Sequence, residues 1–223
     1  MAIKRSNGLI ESLFESIKKF FDMIFAPFSD HHPRLSIVRI SLNRELFRQF
    51  KRLKPGIVLD VGSKDAPYKD NIPHTEYMRL DMDPGADPHI CCDIHDIRWQ
   101  SDYFDTIIAT ELIEHLHDPQ KAIQEIFRVL KPGGVCILST RFMHAYHPDP
   151  IDYYRFSAES LNHLLKDFSK VEIFPHGNRL QIFWMILTQG RFGSLFNILN
   201  PLIAGIQTPN PRIPLGYVVY AEK

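Results

Sequence analysis

The chain has 223 residues, 44% of them hydrophobic and 23% charged, enough for one globular domain with a full core and an appendage. Lysine plus arginine and aspartate plus glutamate each number 26, so the formal net charge is zero and the basic surface that nucleic-acid binding needs is not indicated. Cys91, Cys92 and Cys136 have no spacing that supplies four metal ligands, and they read as buried free thiols of a reducing compartment.

At the N-terminus, Leu13, Phe14, Ile17, Phe21, Ile24, Phe25 and Phe28 recur at intervals of three and four, which predicts an amphipathic helical arm over 1–33. Its apolar face suits either its own domain or a membrane surface. Glu11, Glu15, Lys18 and Lys19 interrupt the apolar run of a signal peptide, so the expected location is cytoplasmic, with peripheral contact at the inner face of a membrane as the variant. Pro27 and Pro33 end the arm, and a second helix is predicted from about Ile37 to Leu53.

Beyond Lys54-Pro55-Gly56, short apolar runs alternate with helical segments, the pattern of a parallel sheet. Strands are predicted at Ile57–Val61, Glu76–Leu80, His89–Cys92, Phe104–Thr110, Val135–Thr140, Val171–Phe174 and Tyr217–Ala221. "DPQKAIQEIFRVLKPGG" predicts a helix with Asp118 as cap, Pro119 at its first position, an apolar stripe of Ile123, Ile126, Phe127 and Leu130, and glycines to end it. The core is assigned to 34–176, an apolar insertion or lid to 177–213 and the closing strand to 214–223. Neither uninterrupted half of Leu180–Ile206 reaches the roughly 20 apolar residues of a spanning helix.

In order, "VLDVG", "RLD", "CCDIHDI", "YFDTIIATELIEHLHDP" and "EIFRVLKPGG" resemble the landmarks of class I S-adenosylmethionine-dependent methyltransferases. The resemblance implies a Rossmann-like α/β fold, with a seven-stranded, mostly parallel sheet whose last strand is antiparallel. The cofactor, S-adenosyl-L-methionine, carries no phosphate, so its loop does not need the glycine series of a dinucleotide site. By resemblance Asp60, Gly62 and Lys64 meet its amino-acid end, Asp81 its ribose, and Asp93 and Ile94 its adenine, with Ser63, Met82 and Thr110 as further cofactor contacts. Ser63, Lys64, Asp65 and Ala66 depart from the usual glycine-rich loop.

"KDAPY" and "HPDPIDYYRFSAESL" are similar to methyltransferase-domain proteins of bacterial surface-polysaccharide and lipid-linked glycan pathways. That similarity implies an acceptor site in the loop after the fifth strand, with His144, Tyr153, Tyr154 and Arg155 as acceptor contacts. Methyl transfer to oxygen needs alignment and a proton acceptor, and histidine is the natural one near neutral pH. His147 is the first candidate, oriented by Asp149 or Asp152, and His115 is the second. The expected acceptor is a sugar or another small or lipid-linked molecule; nucleic acid is not an expected partner, and a homodimer interface is an alternative use of the apolar segments.

Two other functions compete. One is a catalytically inactive binding or partner subunit, suggested by the altered glycine loop. The other is a metal-dependent RNA 3'-end methyltransferase, because Glu111, Glu114 and His115 in "ELIEHL" resemble the metal segment of small-RNA 3'-end methyltransferases. The leading expectation includes no metal.

Overall fold

The computed structural model describes residues 36–62, 64–148, 150–188, 197–208 and 212–223. The predicted arm, Ser63 and Asp149 lie outside the described residues. Seven strands, β1 (Ile57–Val61), β2 (Glu76–Asp81), β3 (Ile90–Cys91), β4 (Phe104–Thr110), β5 (Leu130–Arg141), β6 (Lys170–His176) and β7 (Gly216–Glu222), form one sheet of order β3-β2-β1-β4-β5-β7-β6. Only β7 runs antiparallel to its neighbours β5 and β6.

Both faces are covered, and the strand alternation shows how. Leu59, Ile107, Leu138 and Val219 join one apolar cluster, while Val58, Ile108, Ile137 and Val218 join the other. A strand buried on both faces is apolar at successive positions, and this one-residue alternation divides each run between the two layers. Among the described residues, five helices supply the layers: α1 (Ile37–Phe50), α2 (Pro119–Val129), α3 (Ala158–Leu164), α4 (Arg179–Thr188) and α5 (Asn200–Gly205). Ser36, Asp118 and Ser157 cap the first three by accepting from the backbone N–H of Arg39, Lys121 and Ser160 at 3.2, 3.1 and 3.2 Å.

Three local expectations change. The glycines of "KPGG" do not end α2; they lie inside β5, where the register to β4 shifts between Phe104 and Thr106, and Gly133 takes φ +74°. The helix stops because Leu130 turns extended and pairs with Phe104. The third strand shrinks to two residues. Cys136 is buried as expected, but Cys91 is exposed and Cys92 half-buried, because the short β3 lies at the sheet edge.

The segment before β7 packs on α1: Ile37 and Val38 meet Ile182, Met185, Ala204 and Leu215. Gln181, fully buried, donates to the Ile206 carbonyl at 3.1 Å, and Arg44 of α1 donates to that of Ala204 at 2.5 Å. No helix of the described residues is long and apolar enough to cross a membrane.

Candidate active site

The carboxyl ends of β1, β2, β4 and β5 form the edge where open α/β sheets bind ligands. Gly62 ends β1 at φ +66°, and a Cβ there would stand 2.9 Å from Leu112 Cδ1. Lys64 and Ala66 also have positive φ, 47° and 51°. The loop therefore keeps a glycine-like backbone at alternate positions although two of the three residues carry a Cβ.

Other residues hold that loop in place. Arg79 of β2 donates to the Lys64 carbonyl at 2.6 Å. Tyr68, the last residue of "KDAPY", is buried against Phe47 and Phe50; its hydroxyl accepts from Arg39 and donates to Asn43, each at 2.9 Å. Tyr68 thus ties the loop to α1. Asp60 is buried, and its carboxylate accepts from the Tyr77 hydroxyl at 2.5 Å.

Asp81 stands half-exposed at the end of β2, with Oδ1 accepting from the Asp83 N–H at 3.0 Å and no hydrogen bond recorded to Oδ2. Met82 next to it is 73% exposed. Asp93 caps a short turn by accepting from His95 N–H at 2.9 Å and meets His95 Nδ1 at 2.6 Å; these contacts hold its carboxyl below the usual range. Ile94 beside it is buried. Single-glycine turn, acidic β2 end and acidic residue after β3 therefore share one edge, and their acceptor chemistry suits an ammonium group and a ribose diol.

Past Thr110, half-buried at the end of β4, "ELIEHL" forms a 3-10 turn over Ile113–His115 with Glu111 in the left-handed region at φ +51°. That backbone sends Glu111 and Glu114 to different partners. Glu111 turns to Arg141 at the end of β5 and is bonded by its Nε. Glu114 goes into the interior, fully buried, accepting from Thr140 Oγ1 at 2.9 Å. Burial would raise the Glu111 carboxyl, but the Arg141 charge outweighs it and holds Glu111 low. Burial, with the Glu111 charge beside it, pushes Glu114 up to about 8.

The loop after β5 folds back onto this turn. The backbone N–H groups of Tyr153 and Tyr154 both donate to the Glu114 carbonyl, at 2.9 and 3.2 Å, and the Tyr154 hydroxyl donates to that of His117 at 3.3 Å. His115 Nδ1 donates to the Ile151 carbonyl at 2.6 Å. Two motifs some 35 residues apart are thereby joined, and the His147 ring centroid stands 4.8 Å from that of His115 and 5.1 Å from that of His144.

Asp152 is the residue that holds His147. It accepts from the His147 backbone N–H at 3.1 Å and takes both arms of the Arg155 guanidinium, which keeps its carboxyl far below the usual range. The His147 Nδ1 lies 3.1 Å from Asp152 Oδ2, but out of line for a hydrogen bond. Burial, then the Arg141 charge, lowers both His147 and His144, so both imidazoles are neutral near pH 7. Arg155, expected to touch an acceptor, is occupied by Asp152 and by the carbonyls of Ala145 and Tyr154 at 3.3 and 2.8 Å. Tyr153 remains exposed beside the cluster.

Sequence reasoning missed Arg141 and His176. Arg141 ends the apolar run "VCILST", a signal for a charge delivered to a strand end. His176 is buried, with neither ring nitrogen hydrogen-bonded, and burial depresses it to about 4.

Comparison with known proteins matches the family described as "Methyltransferase domain" to residues 68–138. The sheet order and both halves of the site belong to the same fold. The fold is that of the class I methyltransferases. A similar fold occurs in a SAM-dependent methyltransferase from Archaeoglobus fulgidus, with a TM-score of 0.56 and 15% identity over 92% of this chain and 100% of that one. Among curated proteins, the chain is 36% identical to 2-methyl-6-phytyl-1,4-hydroquinone methyltransferase 1 of Oryza sativa over 37% of this chain and 26% of the relative. It is 46% identical to the ubiquinone biosynthesis O-methyltransferase of Psychrobacter cryohalolentis over 17% of this chain and 14% of the relative. The chain thus spans about a quarter or less of the length of these curated relatives. The family match includes the β2, β3 and β4 ends and stops short of the loop after β5.

Proposed function

We propose that this protein is an S-adenosylmethionine-dependent methyltransferase that methylates a hydroxyl oxygen on a small, lipid-bearing acceptor. The observation that carries this reading is the pairing of two half-sites at one sheet edge: a loop of glycine-like backbone with acidic β2 and β3 ends, and a cluster of histidines from the loops after β4 and β5.

Bound there, S-adenosylmethionine supplies an electrophilic methyl group. The chain's own residues do the rest. Gly62 permits close backbone approach, Asp81 accepts from a diol, and Thr110 with the Glu111 turn bounds the far end. His147, seated by Asp152, takes the proton from the acceptor hydroxyl; neutrality near pH 7 is the state that task requires. A lipid-bearing acceptor is favoured by the outward apolar side chains of α4 and α5, Phe183 and Leu202 among them, and agrees with the phytyl hydroquinone in the name of the Oryza relative. A sugar acceptor, suggested by the resemblance of "HPDPIDYYRF" to glycan-pathway proteins, has no comparable feature in its support.

The test is calorimetric titration of the full chain with S-adenosylmethionine, with NADH as control. Micromolar binding of the first and none of the second is expected, and Asp81→Ala should weaken binding by about 1–3 kcal/mol through loss of charged hydrogen bonds to the ribose. Folded protein that binds no S-adenosylmethionine refutes the proposal and leaves an inactive partner subunit as the better reading.

A further inference from the structure

The segment between β6 and β7 differs from the rest of the chain in charge. No aspartate or glutamate occurs from 173 to 221, while Arg179, Arg191 and Arg212 fall within that span of a chain whose formal net charge is zero. The fold turns this bias into a surface. Gln181, Ile182 and Met185 are the buried residues of α4, so Leu180, Phe183, Ile186 and Leu187 are left on its outer side, and Leu199, Leu202 and Ile206 are exposed on and beside α5. Gln181 ties the two helices together through the Ile206 carbonyl, and the Trp184 indole N–H donates to Asn200 Oδ1 at 2.7 Å. Leu180 and Ile206 thereby become walls of one cleft of about 380 Å³, which Arg179, Thr208 and Arg212 also line. Among the described residues, no hydrogen bond or ion pair engages either arginine.

An apolar face with a cationic rim and no acid to neutralise it needs a partner that is apolar and anionic at once. A bilayer supplies both, acyl chains for the apolar side chains and headgroup phosphates for the guanidinium groups. We propose that the α4–α5 face docks on an anionic lipid bilayer, with Arg179 and Arg212 on headgroup phosphates and Phe183, Ile186 and Leu202 in the acyl region. Guanidinium groups suit this place because their paired N–H donors match phosphate oxygens. A second copy of the chain is a poorer occupant: a two-fold contact sets the same patch against itself, bringing arginines together with no acid between them.

The position of the face in the fold agrees with docking. Ile37, the first residue of α1, packs on Ile182 and Met185, so the sequence before it, with apolar residues at intervals of three and four, joins the fold beside α4. Leu215, buried with the same two residues, accepts at its carbonyl from the Phe142 N–H at 2.9 Å, where the loop after β5 begins. Resting on the methyl-transfer reading, docking brings the start of the acceptor loop toward the bilayer that holds a lipid-bearing acceptor. Docking itself needs no methyl transfer.

The experiment is co-sedimentation of the full chain with vesicles of equal parts phosphatidylcholine and phosphatidylglycerol, beside vesicles of phosphatidylcholine alone. Stronger binding to the mixed vesicles, weakened by salt, is expected. Arg179→Gln with Arg212→Gln should reduce binding to the mixed vesicles by about tenfold and leave binding to the neutral ones unchanged. Lys121→Gln with Lys166→Gln, exposed residues of the layer on the other side of the sheet, should leave both unchanged. Circular dichroism confirms that each variant is folded. Equal binding of the parent to both kinds of vesicle, equal binding of the arginine variant and the parent to the mixed vesicles, or an equal loss in the lysine variant overturns the proposal. Failure of the parent to bind either kind overturns it too, and a dimer in sedimentation velocity that Leu202→Ser disperses then assigns the face to a second copy. S-adenosylmethionine titration of the same sample separates the two readings: cofactor binding without vesicle binding removes only the docking, and vesicle binding without cofactor binding removes only the methyl transfer.

Discussion

Lys64 and Ala66 hold the left-handed backbone of the loop after β1 at φ 47° and 51°. A Cβ there costs about 1–2 kcal/mol, offset in part by the roughly 0.5–1 kcal/mol that a glycine loses in chain entropy. Ala66→Gly should therefore stabilise the protein slightly, by about 0.5 kcal/mol, read as a higher urea midpoint; a lower midpoint would show that the side chain contributes packing that outweighs the strain. His176 provides a pH dependence with a definite sign. Its folded pKa is depressed to about 4 from an ordinary 6.5, so above pH 6.5 it does not affect stability, and as pH falls from 6.5 toward 4 the unfolded chain gains a proton that the folded one refuses. Stability falls through that window, and His176→Gln should flatten the fall in melting temperature; equal acid sensitivity in both proteins would place the loss elsewhere. The sequence shows the loop's departure from glycine but not that the backbone stays glycine-like, because the loop is held by Arg79 of β2 and, through Tyr68, by Arg39 of α1.

At the scale of elements, α1 couples the two ends of the chain. Leu42, Leu46 and Phe50 are buried against β1, β4, β5 and β7, while Ile37 and Val38 receive the helices before β7. Leu46 is fully buried, so Leu46→Ala should cost about 2–5 kcal/mol in denaturant unfolding; a loss well under 1 kcal/mol would mean that the neighbouring helices close the cavity. The alternation of residues made the sheet elements legible, since every predicted strand overlaps an observed one. The ends were less legible. "KPGG" has the composition of a helix stop, yet the pairing of Leu130 with Phe104, a contact between distant residues, turns it into part of β5.

For the whole molecule, the face opposite the α1 contact leaves Phe183 and Ile186 each 62% and Leu202 68% exposed. Apolar side chains clustered in this way mark a surface that meets something. The full chain should co-sediment with liposomes, and Phe183→Ser with Ile186→Ser should reduce the bound fraction by about tenfold or more, because each removes an apolar side chain from the contact. Absence of sedimentation of the unaltered chain sinks the lipid contact and leaves a protein partner for that face.

By itself the sequence determined the alternating α/β plan and the order of its strands and loops, because periodicity, capping and turn chemistry are local properties of the chain. Only the tertiary structure decided which of these residues meet. Glu111 and Glu114 are three apart, yet one faces Arg141 and the other Thr140, and His147 comes to His115 because two backbone N–H groups of its loop find the Glu114 carbonyl. Such contacts depend on the closure of a loop onto a strand end, which no spacing along the chain specifies.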